Sequence, residues 1–271
     1  MQKEIINGLS FLYFDHFKTH KELYHAVTTR MGGQSLPPYD SLNLGINTED
    51  QSKNIIANLN RVGKSIKFDI AGLVSSTQIH SNKILIIKQK EVLNKATELG
   101  CSYHGFDAII TDQTETTLLI RVADCVPILL YDPLSRVIAV VHAGRDGTLS
   151  EITLKTIKKM QHDFGCSPKN IKAGIGPSIG KCCYSVSNKI ANQFSQRLEK
   201  SEFFVEQVNN MSNIDLKEAN RIQLIISGIN KDRIETSDIC TSCSSNIFFS
   251  HRREKGRTGR FALLAGLKPT G

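Results

Sequence analysis

Three residues that could do chemistry stand at the edges of apolar runs. Cys125 lies between two runs that are typical of strands, and His142 ends a third. The chain turns at Asp132-Pro133 between them, so we expect the two flanking strands to pair and to bring Cys125 near His142. His80 stands just before a further run, so two histidines and one cysteine form a set of borderline and soft metal ligands. The four runs are residues 118–120, 128–130, 137–141 and 84–87.

The spacing of these three residues is not by itself a known metal motif. Cys125 follows His80 by 45 positions, and His142 follows Cys125 by 17. A cysteine or histidine beside a strand is often a packed core residue. A purely structural role therefore stays open beside metal binding.

The composition is that of a globular protein. The chain has 271 residues and a mass of 30.1 kDa, which is enough for one large core, and 40% of its residues are hydrophobic. No apolar run approaches the length of a membrane span, and the first residues are too polar for a signal peptide. Seven cysteines without regular spacing argue against a disulfide framework. We expect one domain over residues 1–271, located in the cytoplasm, with reduced thiols.

Half of the net charge of +8 comes from residues 251–260, which carry five Lys/Arg and one Glu. Such a cluster can bind nucleic acid or a small anion, and it can equally be a solvated loop. No aromatic residues alternate with the basic ones, and no helix-turn-helix, RNA-binding or zinc-finger pattern is present. We therefore expect no nucleic-acid partner, and a basic nucleic-acid binder is the non-enzymatic alternative.

The periodicity of the chain predicts both strands and helices. A long loop at 30–45 is of the kind that often has a function. Residues 143–148 are expected to form a glycine loop that opens a helix beside His142, where free N–H groups would favour an anion; a plain turn is the alternative. Residues 89–104 are polar and irregular. Helices are expected at 50–65, 150–164, 187–199 and 216–229, and strands at 9–14, 24–29, 71–75, 83–88, 106–111 and 116–122.

Three stretches only partly match known motifs. Residues 170–180 lack the third glycine of a dinucleotide loop and the Ser/Thr of a phosphate loop, so we expect a strand and a turn. His20-Lys21-Glu22 lacks the Pro-Cys-x-x-Cys of zinc deaminases. Cys240 and Cys243 form a lone C-x-x-C, because the adjacent Cys182-Cys183 makes a poor second zinc-binding pair. We expect Cys240 and Cys243 to be structural bystanders.

Seven stretches, in order over about residues 9–266, resemble a single family. They are TTRMGG, SLNLG, QIHS, ADCVPILLYD, VHAG, GIGPSIG and FFSHRREKGRTGR. As a set they are similar to the laccase-domain family, also called the multicopper polyphenol oxidase or purine nucleoside phosphorylase family, to which a bacterial peptidoglycan editing factor is related. The resemblance implies an α+β fold, a single domain with mixed β-sheets flanked by helices in layers.

The resemblance also implies a metal and an activity. One zinc ion per chain would be held by His80, Cys125 and His142, with copper as the possibility behind the older family label. The open fourth position is typical of catalytic zinc sites, where the ion can activate water. The implied activity is phosphorolysis of adenosine, inosine and S-methyl-5'-thioadenosine, with adenosine deaminase activity besides. The partners would be a nucleoside and phosphate, and we expect a monomer.

Phosphorolysis requires cations that hold phosphate and a donor for the departing purine. We assign Asp124 to the catalytic group with Cys125 and His142, where it would orient a ligand or act as a base. The expected substrate contacts are Arg30 and Arg260 for anions and Asn43 for polar groups. A buried ion pair is the alternative for these assignments.

One departure from the family and two rival activities remain. The family usually continues His-Ala-Gly with Trp, Arg or Lys, and Gly, whereas this chain has Arg145-Asp146-Gly147. If that loop contacts substrate, affinity or substrate choice should differ here. A cysteine hydrolase or amidase that edits peptidoglycan precursors would use Cys125 as nucleophile with a histidine as base. A copper-dependent polyphenol oxidase would need more paired histidines than the eight in this chain suggest.

Overall fold

The apolar runs of the sequence form strands and helices in a computed structural model, which describes residues 1–88 and 97–269. The strands are β1 (Gln2–Ile6), β2 (Leu9–Tyr13), β3 (Leu23–Thr28), β4 (Leu73–Thr77), β5 (Ile84–Ile87), β6 (Cys101–His104), β7 (Ala108–Thr111), β8 (Thr117–Val122), β9 (Val126–Asp132), β10 (Val137–Ala143), β11 (Lys172–Ile175), β12 (Ser185–Ser187), β13 (Val205–Val208), β14 (Met211–Ile214), β15 (Ile234–Thr236) and β16 (Phe261–Leu267). The α-helices are α1 (Ser52–Ile66), α2 (Arg145–Leu149), α3 (Ile152–Phe164), α4 (Asn188–Arg197) and α5 (Leu216–Ile226).

These strands form three sheets with both parallel and antiparallel neighbours. A seven-stranded sheet has the order β1-β2-β3-β16-β8-β4-β6, and a six-stranded sheet has the order β15-β11-β9-β10-β7-β5. A small sheet of β12, β14 and β13 lies apart from them in the pairing. β4 runs parallel to β8 and β6, whereas β16 is antiparallel to β3 and β8. The mixed sheets confirm the predicted α+β fold.

The hairpin predicted around Asp132-Pro133 is confirmed. β9 and β10 pair antiparallel, with Val126 opposite Ala143 and Pro127 opposite His142. Cys125 immediately precedes β9, so this register places it beside the end of β10. A local turn in the chain therefore brings together two of the three candidate ligands.

The two large sheets pack face to face over a shared apolar core. Ile120 and Leu263 of the seven-stranded sheet lie in one cluster with Leu129 and Val140 of the six-stranded sheet. Leu119, the neighbour of Ile120, lies instead in the cluster on the outer face. This alternation follows from the period of two along a strand and makes both faces of β8 apolar.

Helices cover the outer faces of both sheets. Leu59 of α1 packs in the cluster outside the seven-stranded sheet. Ile157 of α3 and Leu224 of α5 pack in the cluster outside the six-stranded sheet. The layers are therefore helix, sheet, sheet and helix. None of the helices in the described part of the chain combines the length and the apolar character needed to span a membrane.

The helices and strands predicted from the sequence agree with the structure to within a few residues at their ends. Residues 143–148 were expected to be a loop, but Arg145–Leu149 is a short helix of its own before α3. The helix start expected near residue 150 therefore falls earlier, directly after Gly144, and belongs to a helix of five residues. The helix expected to begin at residue 50 begins at Ser52, with Gln51 as its N-cap, and Asp50 accepts the Gln51 N–H. Of the stretch at 89–104 that was expected to be irregular, residues 89–96 lie outside the described residues, and Cys101–His104 form strand β6, which pairs with β4.

His25 on β3 gives the fold an acid-sensitive point. Its Nε2 accepts the backbone N–H of Phe14 at 2.9 Å, and its ring packs against those of Phe14 and Phe17. Burial lowers the pKa of His25 to about 4, from an ordinary value of 6.5. Between pH 4 and pH 6.5, the unfolded chain therefore protonates His25, whereas the folded chain keeps this histidine neutral. The associated stability is complete above pH 6.5 and is lost as the pH falls towards 4.

We expect this histidine to contribute about 3 kcal/mol to the loss of stability between pH 7.5 and pH 4, since each pKa unit corresponds to about 1.4 kcal/mol. The free energy of unfolding in denaturant at several pH values measures it. In His25→Gln, which has no charge to acquire, the pH dependence should shrink by about that amount. His162→Gln is the matched control, because His162 is 86% exposed. Equal pH dependence in wild type and His25→Gln would show that the histidine is not responsible.

Candidate metal and substrate site

His80 follows β4, and its position is fixed by hydrogen bonds of its own backbone and of neighbouring residues. It has a left-handed conformation, with a φ of 60°, and its N–H donates to Asp107 Oδ1 at 3.0 Å. Two residues earlier, the Gln78 side chain donates to the Arg121 carbonyl at 2.7 Å and accepts the Arg121 N–H at 2.8 Å. These bonds attach the segment to β8 and direct the exposed ring of His80 towards Cys125.

Asp107 connects both candidate histidines. This fully buried carboxylate accepts from Ser81 N and Ser81 Oγ, each at 2.7 Å, and pairs with His142 Nδ1 at 2.8 Å. Burial would raise the pKa of Asp107, but the bonds from His142 and Ser81 lower it overall. With Nδ1 engaged, His142 has Nε2 free for another partner. Asp107 was not predicted as a site residue, although an acidic residue immediately before an apolar strand is a visible signal in the sequence.

Cys125 completes the group. Its Sγ lies 3.8 Å from His80 Nε2, and the ligand atoms of His80, Cys125 and His142 all lie within 4.8 Å of one another. Gly144 leaves the space that this approach requires, because a Cβ there would lie 2.8 Å from His80 Cδ2 and 3.0 Å from Cys125 Sγ. The three residues form a His/Cys group that could hold a metal ion.

The charges of the group are coupled. Burial would raise the pKa of the Cys125 thiol, but His142 and His80 lower it to about 6. Burial would likewise lower the pKa of His142, but the Cys125 thiolate and Asp107 raise it to about 9. A thiolate therefore faces an imidazolium near neutral pH. Both a metal ion and a thiol nucleophile need the deprotonated sulfur that this pairing favours.

The group lies in the wall of a cavity of about 350 Å³. That volume is within the range of small-molecule sites. Tyr184 and several aliphatic side chains provide apolar surface for a flat ring, and four arginines provide cationic groups. The aliphatic residues are Ile46, Val122, Ala123, Ile179 and Leu216, and the arginines are Arg121, Arg145, Arg252 and Arg260.

Arg121 has the most unusual environment of these arginines. Its side chain is buried and its Nε donates to the Leu44 carbonyl at 2.6 Å, but its Nη1 has no hydrogen-bond partner within the described ranges. Burial lowers the pKa of this guanidinium to about 10, still far above neutrality. A buried cation with an unpaired donor beside a cavity is suited to an anionic ligand. The signal in the sequence was a charged residue inside the apolar run of β8.

The other substrate contacts expected from the sequence have different positions. Arg260 lines the cavity, and its Nη1 donates to the carbonyls of Thr258 and Gly259. Arg30 does not line it: its guanidinium bonds the Asp40 and Ser245 carbonyls, pairs with Glu254 at 2.9 Å and lies over Phe249. These contacts stabilise the loop that contains Arg30, and they do not favour a contact between Arg30 and substrate.

Asn43 is also a structural residue in this arrangement. It is fully buried and is not among the residues that line the cavity. Its Nδ2 donates to Thr48 and Asp50, and its Oδ1 accepts the N–H groups of Gly45 and Arg260. With both ends of the amide engaged, Asn43 shapes the loop that borders the cavity, and this position argues against the expected substrate contact.

Asp124 lines the cavity, but other segments occupy its carboxylate. Thr241 Oγ1 donates to Oδ1 at 2.6 Å, and Ser250 Oγ and the Arg252 N–H donate to Oδ2 at 3.1 and 2.7 Å. The backbone of Asp124 has a φ of 86°, a conformation that residues with a side chain rarely adopt. The hydrogen bonds to its carboxylate stabilise this conformation. The structure thus favours a positioning role for Asp124 over the base expected from the sequence.

Several arginines of the basic segment at 251–260 donate hydrogen bonds to backbone carbonyls of the same chain. Arg252 Nη1 donates to the Ser185 carbonyl, and Arg253 Nη1 donates to the Ser242 carbonyl. Arg145, in the stretch that departs from the family pattern, pairs with Asp146 at 2.7 Å at the cavity wall. Two arginines of the segment, Arg252 and Arg260, also line the cavity of the candidate site.

The expectation that Cys240 and Cys243 lack a partner pair was wrong. The sulfurs of Cys182, Cys183, Cys240 and Cys243 lie within 4.8 Å of one another. Two turns far apart in sequence converge there, because residues 178–180 and 240–241 are joined by backbone bonds.

The protein thus has a mixed α+β fold and a group of two histidines and one cysteine that could hold a metal ion in a cationic cavity. The family model of the multi-copper polyphenol oxidoreductase laccase matches residues 24–268. The chain therefore belongs to that family.

Similar proteins agree in both sequence and structure. A protein named purine nucleoside phosphorylase YlmD from Bacillus subtilis is 31% identical over 252 residues, covering 93% of this chain and 91% of its own length. A protein of the same name from Geobacillus stearothermophilus is 33% identical over 242 residues, covering 89% of this chain and 88% of its own length. The crystal structure of YlmD from Geobacillus stearothermophilus has a TM-score of 0.91 at 31% identity, covering 99% of this chain and 98% of its own.

Proposed function

We propose that this protein is a zinc-dependent purine nucleoside phosphorylase acting on adenosine, inosine and S-methyl-5'-thioadenosine, with adenosine deaminase activity besides. The observation that carries the proposal is the unpaired guanidinium nitrogen of Arg121, in the same cavity wall as the His/Cys group. Phosphorolysis needs an anion subsite beside a nucleoside subsite, and this cavity offers both kinds of surface. The names of the relatives from Bacillus and Geobacillus support the same activity.

The residues of the cavity divide into two functions under this proposal. Tyr184, Ile179 and Leu216 would contact the flat purine, while Arg121 and Arg260 would hold phosphate. A phosphate oxygen forms a bond to the anomeric carbon as the glycosidic C–N bond breaks, and the electron pair leaves with the purine. The sugar gains positive character in the transition state, so an oriented phosphate anion stabilises it.

The residues present fit the zinc ion that the family implies. His80 Nε2, His142 Nε2 and Cys125 Sγ would hold it, and Gly144 keeps side-chain atoms out of the space between His80 and Cys125. Nitrogen and sulfur donors suit zinc, although they also accept copper. When bound, the ion would supply Lewis acidity beside the substrate. Asp107 would hold His142 with Nε2 towards the ion.

The assignment of Arg121 predicts a selective kinetic defect. Arg121→Gln should lower kcat/KM for phosphate about tenfold to a hundredfold, since a hydrogen bond between charged groups contributes about 1.5–3 kcal/mol. The KM for nucleoside at saturating phosphate should change little. Phosphorolysis of inosine, followed by release of hypoxanthine and ribose 1-phosphate, measures both. Arg197→Gln, on the exposed face of α4, is the matched control. The proposed function itself fails if the zinc-loaded wild type releases no base in a phosphate-dependent manner.

A second function is favoured by the coupled charges of Cys125 and His142. A thiolate with a pKa of about 6 beside an imidazolium with a pKa of about 9 is also the resting state of a cysteine hydrolase. In that case Cys125 would attack an acyl carbon and His142 would protonate the leaving amine, as peptidoglycan-precursor editing would require. This alternative needs Cys125 to be free of metal, which makes the two functions separable by experiment.

A further inference from the structure

Four cysteines form a second group, and none of them lines the candidate cavity. Cys182 and Cys183 lie in the turn after β11, and Cys240 and Cys243 lie in the turn after β15. The Sγ of Cys243 lies 3.7 Å from that of Cys182 and 3.4 Å from that of Cys183. We propose that these four cysteines bind a second, structural zinc ion. The proposal is independent of the proposed function.

Three of the distances between the sulfurs are close to those around a single tetrahedral ion, and the Cys240 sulfur lies within 4.8 Å of the others. With zinc–sulfur bonds of about 2.3 Å, the edge of a regular tetrahedron of sulfurs is about 3.8 Å. The pairs 182–183, 182–243 and 183–243 lie at 3.8, 3.7 and 3.4 Å. An iron–sulfur cluster would need the sulfurs spread around several iron atoms. A disulfide would join only two of them, and all seven cysteines of the chain are free thiols.

The surroundings favour thiolates at this place. The Gly180 N–H donates to Cys240 Sγ at 3.1 Å, which stabilises a negative sulfur. A Cβ on Gly180 would lie 3.2 Å from Cys182 Sγ, so glycine keeps this wall close to the sulfurs. Four thiolates around a divalent ion carry a net charge of −2. The buried ammonium of Lys217, bonded to the carbonyls of Ser237 and Ile239, is a cation beside Cys240 that offsets part of it.

The site would join two segments that form the candidate active site. Thr241 Oγ1 donates to Asp124 Oδ1, and the Ile179 N–H donates to the Asp124 carbonyl at 2.9 Å. Asp124 immediately precedes Cys125, and Ile179 and Tyr184 line the cavity. A four-coordinate ion without an open position is structural rather than catalytic. Its role would be to fix the cavity wall against the strand end that bears Cys125.

Metal content separates the two sites. Protein loaded with zinc under reducing conditions and then freed of excess metal should contain two zinc ions per chain in the wild type. Cys182→Ser with Cys243→Ser should contain one, and so should Cys125→Ala. Cobalt added to metal-free Cys125→Ala protein should give the strong thiolate charge-transfer absorption of a tetrathiolate site. Cys166→Ala, which changes a buried cysteine outside both groups, should keep both zinc ions.

The variant with two cysteines of the group replaced could lose zinc because it does not fold. A second measurement therefore uses proteins in which the four-cysteine group is intact. Titrating the thiols with a mercurial, with a zinc indicator present, should release two zinc ions per chain from the wild type and one from Cys125→Ala. Release of no zinc from the zinc-treated Cys125→Ala protein would overturn the proposal. So would full zinc content in the folded Cys182→Ser, Cys243→Ser variant. A mass lighter by two hydrogen atoms, traced to a disulfide within this group in protein purified without reductant and containing no zinc there, would replace the metal site with a redox pair.

Discussion

Replacement of Cys125 by alanine is expected to remove the metal ion from the candidate active site and to lower phosphorolysis by on the order of 10³-fold. A bound metal ion stabilises transition-state charge by several kcal/mol, and each 1.36 kcal/mol corresponds to a factor of ten in rate. The remaining ligands, His80 and His142, would be two neutral donors without the charge of the thiolate. Zinc analysis and the rate of hypoxanthine release from inosine measure the two effects.

Loss of activity in Cys125→Ala does not distinguish zinc chemistry from thiol chemistry, because both need this sulfur. A thiolate bound to a metal is a poor nucleophile, whereas a free thiolate with a pKa of about 6 is a good one. In the zinc-loaded protein, Cys125 should therefore resist iodoacetamide, and chelation should make it reactive. Peptide mapping must separate it from the exposed Cys182 and Cys243. Activity should disappear on chelation and return with zinc.

Rapid alkylation of Cys125 in the zinc-loaded protein would contradict the metal assignment. Full activity after complete metal removal would do the same, and either result together with a Cys125 that reacts as a free thiolate would favour the cysteine hydrolase. Metal analysis of protein purified without added metal also tests copper. Redox activity on phenols with bound copper, together with the absence of phosphorolysis, would favour the oxidase activity in the family's description.

Asp107→Asn is expected to weaken zinc binding at the candidate site, or the activity that depends on it, about tenfold to a hundredfold. That is the usual effect of losing the partner that orients a metal-binding histidine. One carboxylate oxygen accepts from the His80 N–H and pairs with His142 Nδ1, while the other accepts two bonds from Ser81. The amide of an asparagine at this position has only one oxygen. Its NH₂ group would therefore face the hydrogen-bond donors that the other carboxylate oxygen accepts in the wild type. Asp107 is thus a positioning residue for both histidines.

Zinc affinity by competition with a chelator and the pH dependence of binding together test this role. Without the charge of Asp107, the pKa of His142 should fall, because that carboxylate is one of the groups that raise it. Zinc binding to Asp107→Asn should then release fewer protons at pH 8 than binding to the wild type. Asp112→Asn, on an exposed carboxylate five residues later, is the matched control. Unchanged affinity and proton release in Asp107→Asn would mean that the histidines are held by other contacts.

The sequence by itself determined most of the local structure and part of the site. Apolar runs with a period of two specify strands whether or not their partners are known, and the turn at Asp132-Pro133 predicts the hairpin that carries Cys125 and His142. The apolar run after His80 made it the third candidate ligand, the resemblance to the family implied the same set, and its Nε2 lies 3.8 Å from the Cys125 sulfur. These features depend on short stretches of chain, whose information is local.

Only the tertiary structure decided which side chains face the cavity and which hold the fold together. Arg30 and Asn43 lie in motifs of the family, yet their polar groups are used by neighbouring loops, whereas Arg121 lines the cavity and has a buried guanidinium nitrogen without a partner in the described part of the chain. Cys182 and Cys243 are 61 positions apart, and nothing in their spacing shows that their sulfurs lie 3.7 Å apart. Such proximity results from the packing of whole strands and turns, because separation along a chain does not limit how closely two distant residues approach in the folded state.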